Sequence, residues 1–485
     1  MQTEELLTLV RRVQAQRCET RTLEVKAARE GSPTRLYDTL SGFSNQDEGG
    51  IILFGLDESQ GFKVVGVYDP QDLQIKVTEQ CKQMEPVVRP LFTVCHVDGQ
   101  TVVSAEIPGM EITRRPVFYR GVGRIKGSYI RAGGTDELMS EYEVYSYESY
   151  RKRTRDDLRK VETARLSLFD ADRLNQYLAA VKRDRPNLAG TITDKEVLEL
   201  MGVTVDGVPT LAGLLVFSRY PQANFPQLCV TAVVVPGTRI GDTGGEGERF
   251  LANRRITGSV IDMLEESVDF VNRNGRIRTI IDDTGHRADK PEFPPKAVRE
   301  AVLNTLVHRD LSLFTENIPI RLVMYSDRME ITNSGGLYGN SAIDSLGKIH
   351  PDTRNTTLAN MLELMAVTEN RYSGIPTMRR EMEKAGLPAP EFRSHRGEFT
   401  VIFRNKFYDS ILKEERGQVD IREALVAYTA TPRTRSELTE FTGFSQYYTM
   451  AKLLQPLIRA GRIRLTIPER PRSRNQRYYS LKSGE

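Results

Sequence analysis

The run GFSNQDEGGIILFGLDES, residues 42–59, constrains the fold of the N-terminal part of this chain more than any other segment. It predicts the end of a helix, a Gly-Gly turn, and a buried β-strand over residues 51–56 that ends at Asp57. The earlier segment TLEVK predicts another strand, whose alternate side chains lie on one face. We therefore expect a mixed α/β domain over residues 22–135, preceded by a short amphipathic helix over residues 4–17.

Three carboxylates and a lysine lie at the ends of these predicted strands. Glu24 and Lys26 alternate on one face of TLEVK, Glu19 precedes that segment, and Asp57 follows the buried strand. Carboxylates that converge at strand ends are suitable ligands for a divalent cation beside a phosphodiester. The same four residues also fit a solvated cluster of salt bridges, which contributes little to stability. Residue types and spacing alone leave both interpretations open.

The spacing E-x4-E-x-K, a helix ending in F-x-N, and G-G-x-x-x-x-G-x-D together resemble the Schlafen AlbA-like domain over residues 15–135. The resemblance implies a nucleic-acid-binding domain, which in some members cleaves tRNA or rRNA with two glutamates and an aspartate. Carried to this chain, those catalytic and metal-binding residues are Glu19, Glu24 and Asp57, and Lys26 would stabilise developing charge. We assign this domain to residues 1–140 and a helical linker to residues 141–162.

Two further features bear on nucleic-acid binding by this domain. Many relatives have F-A-N-T-x-G-G, whereas here Asn45 is followed by Gln46, Asp47 and Glu48. Two additional acids beside a phosphate-binding groove weaken its attraction for anions. Arg131, in the predicted strand of GRIKGSYIRAGG, is a candidate to face that groove, and the alternative is a surface arginine without a role.

The composition is that of a soluble protein of several domains. The 485 residues predict about three domains, and 39% hydrophobic and 27% charged residues are ordinary values. No apolar stretch approaches the ~20 residues of a membrane span, and the N-terminus does not resemble a signal peptide. The four cysteines lack C-x-x-C spacing, so we expect neither a disulfide framework nor a zinc site. We expect a cytoplasmic protein without a membrane partner.

A helix over residues 295–310 carries a second group of polar side chains. Glu300, Asn304 and His308 follow one another at four-residue spacing, so they lie along one face of an otherwise apolar helix. Burying them is costly unless they meet a ligand, an ion or a partner. In phosphoryl transfer, such an asparagine can ligate magnesium while the glutamate activates water. A purely structural role for the three residues is the alternative.

The motifs E-A-x-x-N-x-x-x-H-R-D and D-R-x-E-I-x-N-x-G-G-L resemble the C-terminal ATP-binding module of RecG-related proteins, a divergent GHKL (Bergerat) group, over residues 200–405. We assign this domain to residues 163–410. The resemblance implies ATP, magnesium at Asn304 and water activation at Glu300. The further nucleotide contacts that we assign are His308, Asp327, Asn333, Gly335 and Gly336, with Gly374 at a helix N-terminus that has free N–H groups for phosphate.

This module lacks glycines that its group usually has at two positions. GHKL proteins usually have D-x-G-x-G where this chain has Asp327-Arg328-Met329, and relatives have G-T-G-I where it has residues 372–375, YSGI. Close backbone approach to a triphosphate generally needs such glycines. Modules of this group often dimerise, so we expect a homo-oligomer. Earlier in the same domain, the apolar runs LLVF and CVTAVVV predict two buried strands.

The C-terminal segment is basic. Residues 416–485 contain 13 basic and 6 acidic side chains, in a chain whose net charge is +3. Three helix-length segments and a predicted β-hairpin over residues 417–485 resemble a winged helix. Its third helix would present Gln446, Tyr447 and Lys452 to a groove, and its wing would present Arg470, Arg472 and Arg474 to phosphates. A protein-interaction domain with a solvated hairpin is the alternative.

Together these patterns predict a multidomain α/β (α+β) protein that binds nucleic acid and ATP. The leading hypothesis is a nuclease that depends on Mg²⁺ or Mn²⁺, acts on RNA or single-stranded DNA and is regulated by nucleotide, in phage defence or stress response. The alternative is a non-enzymatic, ATP-sensing transcriptional regulator that binds DNA through the C-terminal segment. The chain has no Walker A motif, which argues against a helicase motor.

Overall fold

A computed structural model describes residues 1–188, 190–281, 287–339, 343–348, 352–368, 373–395, 397–405, 421–442, 446, 448–470, 473 and 476–480. The chain divides into two units, Met1–Thr154 and Arg155–Glu485. Both units mix helices with sheets, as the sequence predicted. None of the helices in the described ranges is long and apolar enough to cross a membrane.

The first unit contains five helices and ten strands in its described residues. The helices are α1 (Thr3–Gln16), α2 (Tyr37–Ser44), α3 (Pro70–Lys82), α4 (Gly123–Gly127) and α5 (Glu141–Lys152). The strands are β1 (Leu23–Lys26), β2 (Gly50–Phe54), β3 (Leu56–Asp57), β4 (Lys63–Val64), β5 (Met84–Glu85), β6 (Leu91–Val97), β7 (Gln100–Ile107), β8 (Phe118–Tyr119), β9 (Tyr129–Ala132) and β10 (Thr135–Leu138).

The central sheet of this unit has the order β1-β2-β7-β6, with β1 parallel to β2 and the other pairs antiparallel. Side chains of β2 alternate between its faces: Ile52 and Phe54 pack with α2 and α3, whereas Leu53 packs with α1. The predicted strand over residues 51–56 is interrupted at Gly55, whose φ of +101° a side chain rarely adopts. The sheet thus holds the end of β1 beside β3, where the predicted carboxylates lie.

The second unit contains the larger sheet. Its helices are α6 (Ala171–Asp184), α7 (Asp194–Leu200), α8 (Leu211–Phe217), α9 (Val260–Asn274), α10 (Pro295–His308), α11 (Thr356–Leu364) and α12 (Gly374–Lys384). Its strands are β11 (Thr204–Val205), β12 (Val208–Pro209), β13 (Val230–Val234), β14 (Ala252–Ile256), β15 (Ile277–Ile281), β16 (Arg287–Pro291), β17 (Ile320–Met324), β18 (Arg328–Ser334), β19 (Glu391–His395) and β20 (Glu398–Arg404).

Six of these strands form a sheet in the order β14-β13-β17-β18-β20-β19, in which only β13 and β17 are parallel. One continuous apolar core joins this sheet to α9, α10, α11 and α12. In α10, the residues that pack into the core include Val298, Val302 and Leu306. The polar face predicted for α10 is therefore held beside the end of β18.

One predicted strand is a helix. LLVF lies in α8, while CVTAVVV contains β13 as expected. The side chain of Thr210 accepts a hydrogen bond from Gly213 N (3.0 Å) and caps α8. Every residue of α8 is buried, so the segment shows no polar face. Periodicity cannot distinguish a short buried strand from a short buried helix in such a run.

The C-terminal segment has helices α13 (Ile421–Tyr428), α14 (Arg435–Thr442) and α15 (Gln455–Arg459), with a π-helix, Tyr448–Leu454, before α15. Strands β21 (Arg433–Thr434), β22 (Ile463–Leu465) and β23 (Arg477–Ser480) form a small sheet. A capping box joins Thr434 and Glu437: Thr434 N donates to the glutamate (2.8 Å) and Glu437 N donates to Thr434 Oγ1 (3.3 Å). Leucines of the helices pack with Ile463 and Tyr478 in a separate core.

Candidate functional site

A buried arginine organises the carboxylates of the first unit. Arg131 on β9 donates to Glu24 Oε2 (2.6 Å) and to Asp136 Oδ1 (3.1 Å). The other oxygen of Glu24 accepts from Lys26 Nζ (2.5 Å). The side chain of Arg131 is 1% exposed. The structure thus places Arg131 inside the unit rather than at an open groove, where we expected it, because Asp136 on the neighbouring strand draws it inward.

Glu19 lies next to this arrangement. Its Oε1 accepts from Val25 N (2.7 Å), and its Oε2 is 4.0 Å from Arg131 Nη2. Burial raises the pKa of Glu19, the Val25 N–H opposes that effect, and the charges of Glu24 and Glu58 raise the pKa further. Glu19, Glu24 and Lys26 are therefore brought together, with the charge of Glu58 within reach.

Asp57 is engaged in its own turn. Its carboxylate accepts from Ser59 N (2.9 Å), Ser59 Oγ (2.6 Å) and Gln60 Nε2 (2.6 Å). The Ser59 and Gln60 hydrogen bonds lower the pKa of Asp57. The neighbouring Glu58 was not considered from the sequence, although it follows Asp57 directly. Throughout the part of the chain that the structure describes, no three His, Cys, Asp or Glu side chains are arranged to hold a metal ion.

The unusual acid Asp47 has a cation beside it. Arg115 donates to Asp47 Oδ1 at 2.7 Å, which offsets part of the negative charge that we expected to repel phosphate. The asparagine of F-x-N has a structural function: Asn45 accepts from Val117 N (2.7 Å) and donates to Val117 O (2.9 Å) and Tyr129 O (3.0 Å). Asn45 therefore ties the end of α2 to Val117 and to β9, the strand that carries Tyr129 and Arg131.

The second unit has a cleft of about 760 Å³, including open solvent at its mouth. Five of the predicted contacts line it: Asn304, His308, Asn333, Gly335 and Gly336. Apolar side chains make up much of the remaining wall, among them Leu337, Ile375, Met378, Phe399 and Val401. The cleft thus combines an apolar wall with a few polar groups.

Helices α10 and α12 meet at one edge of this cleft. Asn304 Nδ2 donates to Glu300 O (2.9 Å) within α10. A methyl group at Gly374, the first residue of α12, would lie 2.6 Å from Asn304 Nδ2 and 3.1 Å from Glu300 Oε2. The structure therefore brings Glu300, Asn304 and Gly374 together. Only a glycine allows the two helices to approach this closely.

The end of β18 supplies the opposite edge. Gly335 has a φ of +102°, and a methyl group there would lie 2.9 Å from Asp310 N. Asn333 is 3% exposed. Its Nδ2 donates to Ser334 O, whereas its Oδ1 has no hydrogen-bond partner. A buried acceptor without a donor is costly, so a ligand donor in the cleft would be favourable here.

Arg354, which lines the cleft, forms a buried ion pair with Asp310, and we call this pair the cleft floor. Arg354 Nη1 lies 2.7 Å from Asp310 Oδ2, with side chains 4% and 0% exposed. Burial, with a smaller contribution from the charge of Arg354, lowers the pKa of His308 to about 4, so this histidine is neutral at pH 7. Neither residue of the pair was predicted as a functional residue from the sequence. Asp310 is the aspartate of the H-R-D motif and could have been selected, whereas no sequence pattern indicated Arg354.

Asp327 lies away from the cleft. It occupies the turn between β17 and β18, is 5% exposed and pairs with Arg328 Nη1 (2.9 Å). Burial raises the pKa of Asp327. Asn333 follows six residues later along β18, about 20 Å at the usual rise of a strand. Strand β18 runs from one end of the sheet to the other, with Asp327 before it and Asn333 near its end. The glycines that line the cleft follow Asn333, so Asp327 lies at the other end of the strand.

Only part of the predicted C-terminal surface lies in the described residues. Gln446 and Arg470 are exposed, and Lys452 Nζ lies 3.8 Å from Asp242 Oδ1 with half of its side chain exposed. Tyr447, Arg472 and Arg474 lie outside the described residues.

Two family models match the chain. Residues 19–140 match "Schlafen, AlbA_2", and residues 318–403 match the HATPase family described as "Putative ATP-dependent DNA helicase recG C-terminal". The chain is thus a mixed α/β protein with an N-terminal AlbA_2 domain and an HATPase-like domain in its second unit, which confirms the resemblances drawn from its motifs. Together the two domains indicate a nucleic-acid-related, ATP-binding function.

Solved structures give weaker likenesses. The crystal structure of the DIP2311 protein from Corynebacterium diphtheriae aligns over 95% of this chain and 93% of its own, with 18% identity and a TM-score of 0.40. The solution structure of the N-terminal domain of a RecG-related protein from Nitrosomonas europaea aligns over 29% of this chain and 94% of its own, with 24% identity and a TM-score of 0.23. No curated protein matches the chain. Likeness at these scores carries no argument about function.

Proposed function

We propose that this protein binds ATP in the cleft of its second unit and nucleic acid on its first unit, and that the nucleotide regulates nucleic-acid binding. The observation that carries the proposal is Asn333, a residue that lines the cleft and whose buried Oδ1 has no hydrogen-bond donor. An exocyclic amino group of a purine would supply that donor. The apolar side chains of the cleft would cover the ring faces.

Both edges of the cleft have features that fit phosphates. Gly335 and Gly336 after β18 permit close backbone approach, and the N-terminus of α12, which begins at Gly374, offers N–H groups to an anion. Mg²⁺ bound with ATP would neutralise phosphate charge, and Asn304 would hold it through its carboxamide oxygen. Glu300 lies beside Asn304 and would accept a proton from water in hydrolysis.

Calorimetric titration of the full chain with ATP and Mg²⁺ tests this proposal. We expect saturable binding, and we expect Asn333→Leu and Asn304→Ala to weaken it at least tenfold, because each removes a polar group from the cleft. Asn253→Ala, which changes an exposed asparagine of β14, is the matched control and should bind normally. Absence of ATP binding by the unaltered protein, or equal affinities in all four proteins, would refute the proposal.

A metal-dependent nuclease is a second candidate function for the first unit. The observation that favours it is the mutual electrostatic influence of Glu19, Glu24, Glu58 and Lys26 at the edge of the sheet. Mg²⁺ or Mn²⁺ at these carboxylates would neutralise the scissile phosphate, and Lys26 would stabilise developing negative charge. Arg131 would then keep Glu24 oriented rather than contact the substrate.

Incubation with tRNA and with single-stranded DNA, with and without Mn²⁺, tests the nuclease. We expect cleavage that Glu24→Gln and Glu19→Gln abolish, because each removes a charge while it keeps the shape of the side chain. Glu30→Gln, at an exposed glutamate, should cleave normally. Binding without cleavage in every metal would leave a non-enzymatic regulator as the function of the chain.

The regulator alternative depends on the C-terminal segment. Its three helices and small sheet, with exposed Gln446, Lys452 and Arg470, support a winged helix that contacts a duplex. Deletion of residues 417–485 should then abolish duplex binding and leave ATP binding intact. Equal duplex affinity after deletion would exclude this role.

We further propose a homo-oligomer that works in the cytoplasm. All four cysteines are free thiols, which fits a reducing compartment. Light scattering of the purified chain would report its mass, and a monomer with and without ATP would contradict the oligomer.

A further inference from the structure

Three side chains at the beginning of the second unit hold distant parts of that unit. We call Arg155, Asp157 and Arg159 the clamp. Asp157 is fully buried, and its Oδ2 accepts from Thr357 N (2.7 Å) and Leu358 N (3.2 Å) at the start of α11. Arg155 donates to Thr357 Oγ1. One arm of the clamp thus holds the N-terminus of α11, where a carboxylate is also favoured by the helix dipole.

The other arm reaches a different stretch of chain. Arg159 Nη2 donates to Glu316 Oε2 (2.6 Å) and to Leu311 O (3.4 Å). Its guanidinium also lies 5.5 Å from the centre of the Phe225 ring. The side chains of Arg159 and Glu316 are only 26% and 20% exposed, so solvent screens their attraction incompletely.

Both stretches that the clamp holds lead directly into the floor of the cleft. Leu311 follows Asp310, and Thr357 lies three residues after Arg354. Asp310 and Arg354 form the buried ion pair of the floor. Between them, Asn355 Nδ2 donates to Val307 O and Arg309 O, each at 2.8 Å. The clamp, the ion pair and the end of α10 are therefore one connected set of hydrogen bonds.

This connection makes the cleft floor and the clamp interdependent. A buried ion pair tolerates little displacement, because separating its charges leaves each of them desolvated and unpaired. A ligand that shifts Arg354 must therefore also shift Asn355 and Thr357. Otherwise the ion pair between Arg354 and Asp310 breaks. Thr357 and Leu358 in turn carry the N–H groups on which the buried Asp157 depends.

We propose that the clamp couples occupancy of the cleft to residues 155–159, the first residues after the boundary between the two units, so that ATP and nucleic acid alter each other's affinity. This inference rests on the proposed binding of ATP by the second unit and of nucleic acid by the first. Thermodynamic linkage requires the two effects to be equal: the factor by which nucleic acid changes ATP affinity is the factor by which ATP changes nucleic-acid affinity.

A binding cycle with the full chain tests the coupling. ATP affinity is measured with and without saturating tRNA, and again with a single-stranded oligodeoxynucleotide. We expect a change of about fivefold or more for the nucleic acid that binds, at the low end of typical allosteric coupling. In Arg159→Met and Asp157→Ala we expect each ligand to bind alone within about twofold of normal affinity, with the coupling lost.

Arg173→Met is the matched control. Arg173 forms a comparable ion pair with Asp262, with side chains 24% and 38% exposed, but contacts neither stretch beside the cleft floor. This variant should keep the full coupling. Unaltered protein that binds both ligands with independent affinities overturns the inference and the proposed regulation by nucleotide, but leaves the proposed binding of ATP and of nucleic acid standing. The inference is also overturned if both clamp variants keep the coupling. It is overturned equally if the control variant loses the coupling. Failure to bind ATP at all overturns the proposed function, and the inference with it.

Hydrogen exchange gives a direct readout that does not depend on the variants' folding. Saturating ATP should slow exchange of the Thr357 and Leu358 amides, which donate to Asp157. The amides of α14, a helix that contributes no residue to the cleft or the clamp, serve as an internal reference that should not respond. Unchanged exchange at Thr357 and Leu358 in the presence of bound ATP would contradict the clamp.

Discussion

Arg131 balances the charges of the first unit. Its guanidinium is 1% exposed between Glu24 and Asp136. We expect Arg131→Met to lower the free energy of unfolding by about 3–5 kcal/mol, because the substitution removes the buried cation that the buried Glu24 and the partly buried Asp136 share. Urea unfolding of the variant and the unaltered protein measures the difference.

The control for that prediction is Arg35→Met. Arg35 pairs with Asp38, but its side chain is 65% exposed. Solvent screens such a pair, so its loss should lower the free energy of unfolding much less than the loss of Arg131 does. Equal losses in the two variants would show that the buried cation has no special role.

His308 makes stability depend on pH. Its pKa is about 4 in the folded protein against the ordinary 6.5. Between these values the unfolded chain binds a proton that the folded protein does not, so stability decreases as the pH falls from 6.5 towards 4. The loss should approach about 3 kcal/mol, measured by urea unfolding across this range.

His308→Gln isolates this effect. Other groups, such as Glu19 with its raised pKa, also contribute to the pH dependence, but they are present in both proteins. The variant should therefore lose less stability on acidification than the unaltered protein. Parallel pH profiles would assign the acid sensitivity to groups other than His308.

At the residue scale, the sequence predicted which side chains carry polar chemistry better than where each one points. Asn304 and His308 line the cleft because helical spacing fixes their common face. The direction of the Arg131 side chain could not be predicted from the sequence. It depends on the pairing of β9 with β10, in which Arg131 lies opposite Asp136. Asp327 was predicted to contact the nucleotide because it belongs to the D-R-x-E-I-x-N-x-G-G-L motif. The motif does not reveal that β18 separates Asp327 from the cleft.

The contact between α10 and α12 can be tested at one glycine. Gly374→Ala should lower ATP affinity at least tenfold, because the added methyl group would lie 2.6 Å from Asn304 Nδ2 and displace it. Titration calorimetry measures the affinity, and thermal unfolding verifies that the variant is folded. Gly245→Ala is the control, since a methyl group there meets no atom within 4 Å. Normal ATP binding by Gly374→Ala would remove this edge from the site.

Most elements near the sites follow from local patterns. Helix α10 has a clear apolar face, and the apolar run of β2 predicts a buried strand, as the structure has it. Helix α8 could not be separated from a strand, because burial on all sides removes the periodic signal. The order of the six-stranded sheet was also out of reach, since β13 pairs with β17 across a long intervening segment.

The division into two units has a thermodynamic consequence for the whole molecule. Calorimetric unfolding should show two transitions, one for each unit. ATP at about 100 times its Kd should stabilise the second unit by roughly 2.7 kcal/mol and raise the temperature of that transition. The transition that remains in a fragment of residues 1–154 should not respond to ATP. A single transition, or an ATP response of the fragment, would contradict this division.

The clamp also imposes an order on biosynthesis. Asp157 leaves the ribosome 200 residues before the Thr357 amide that it binds. At 5–20 residues per second the interval is roughly 10–40 seconds. During that time the first unit has all of its own strands and can fold, whereas the nascent second unit must keep an unpaired carboxylate hydrated. Its cleft can therefore form only after α11 and the later lining residues, such as Phe399 and Val401, have been made, so an early stop in translation would release a chain with a complete first unit and an incomplete cleft.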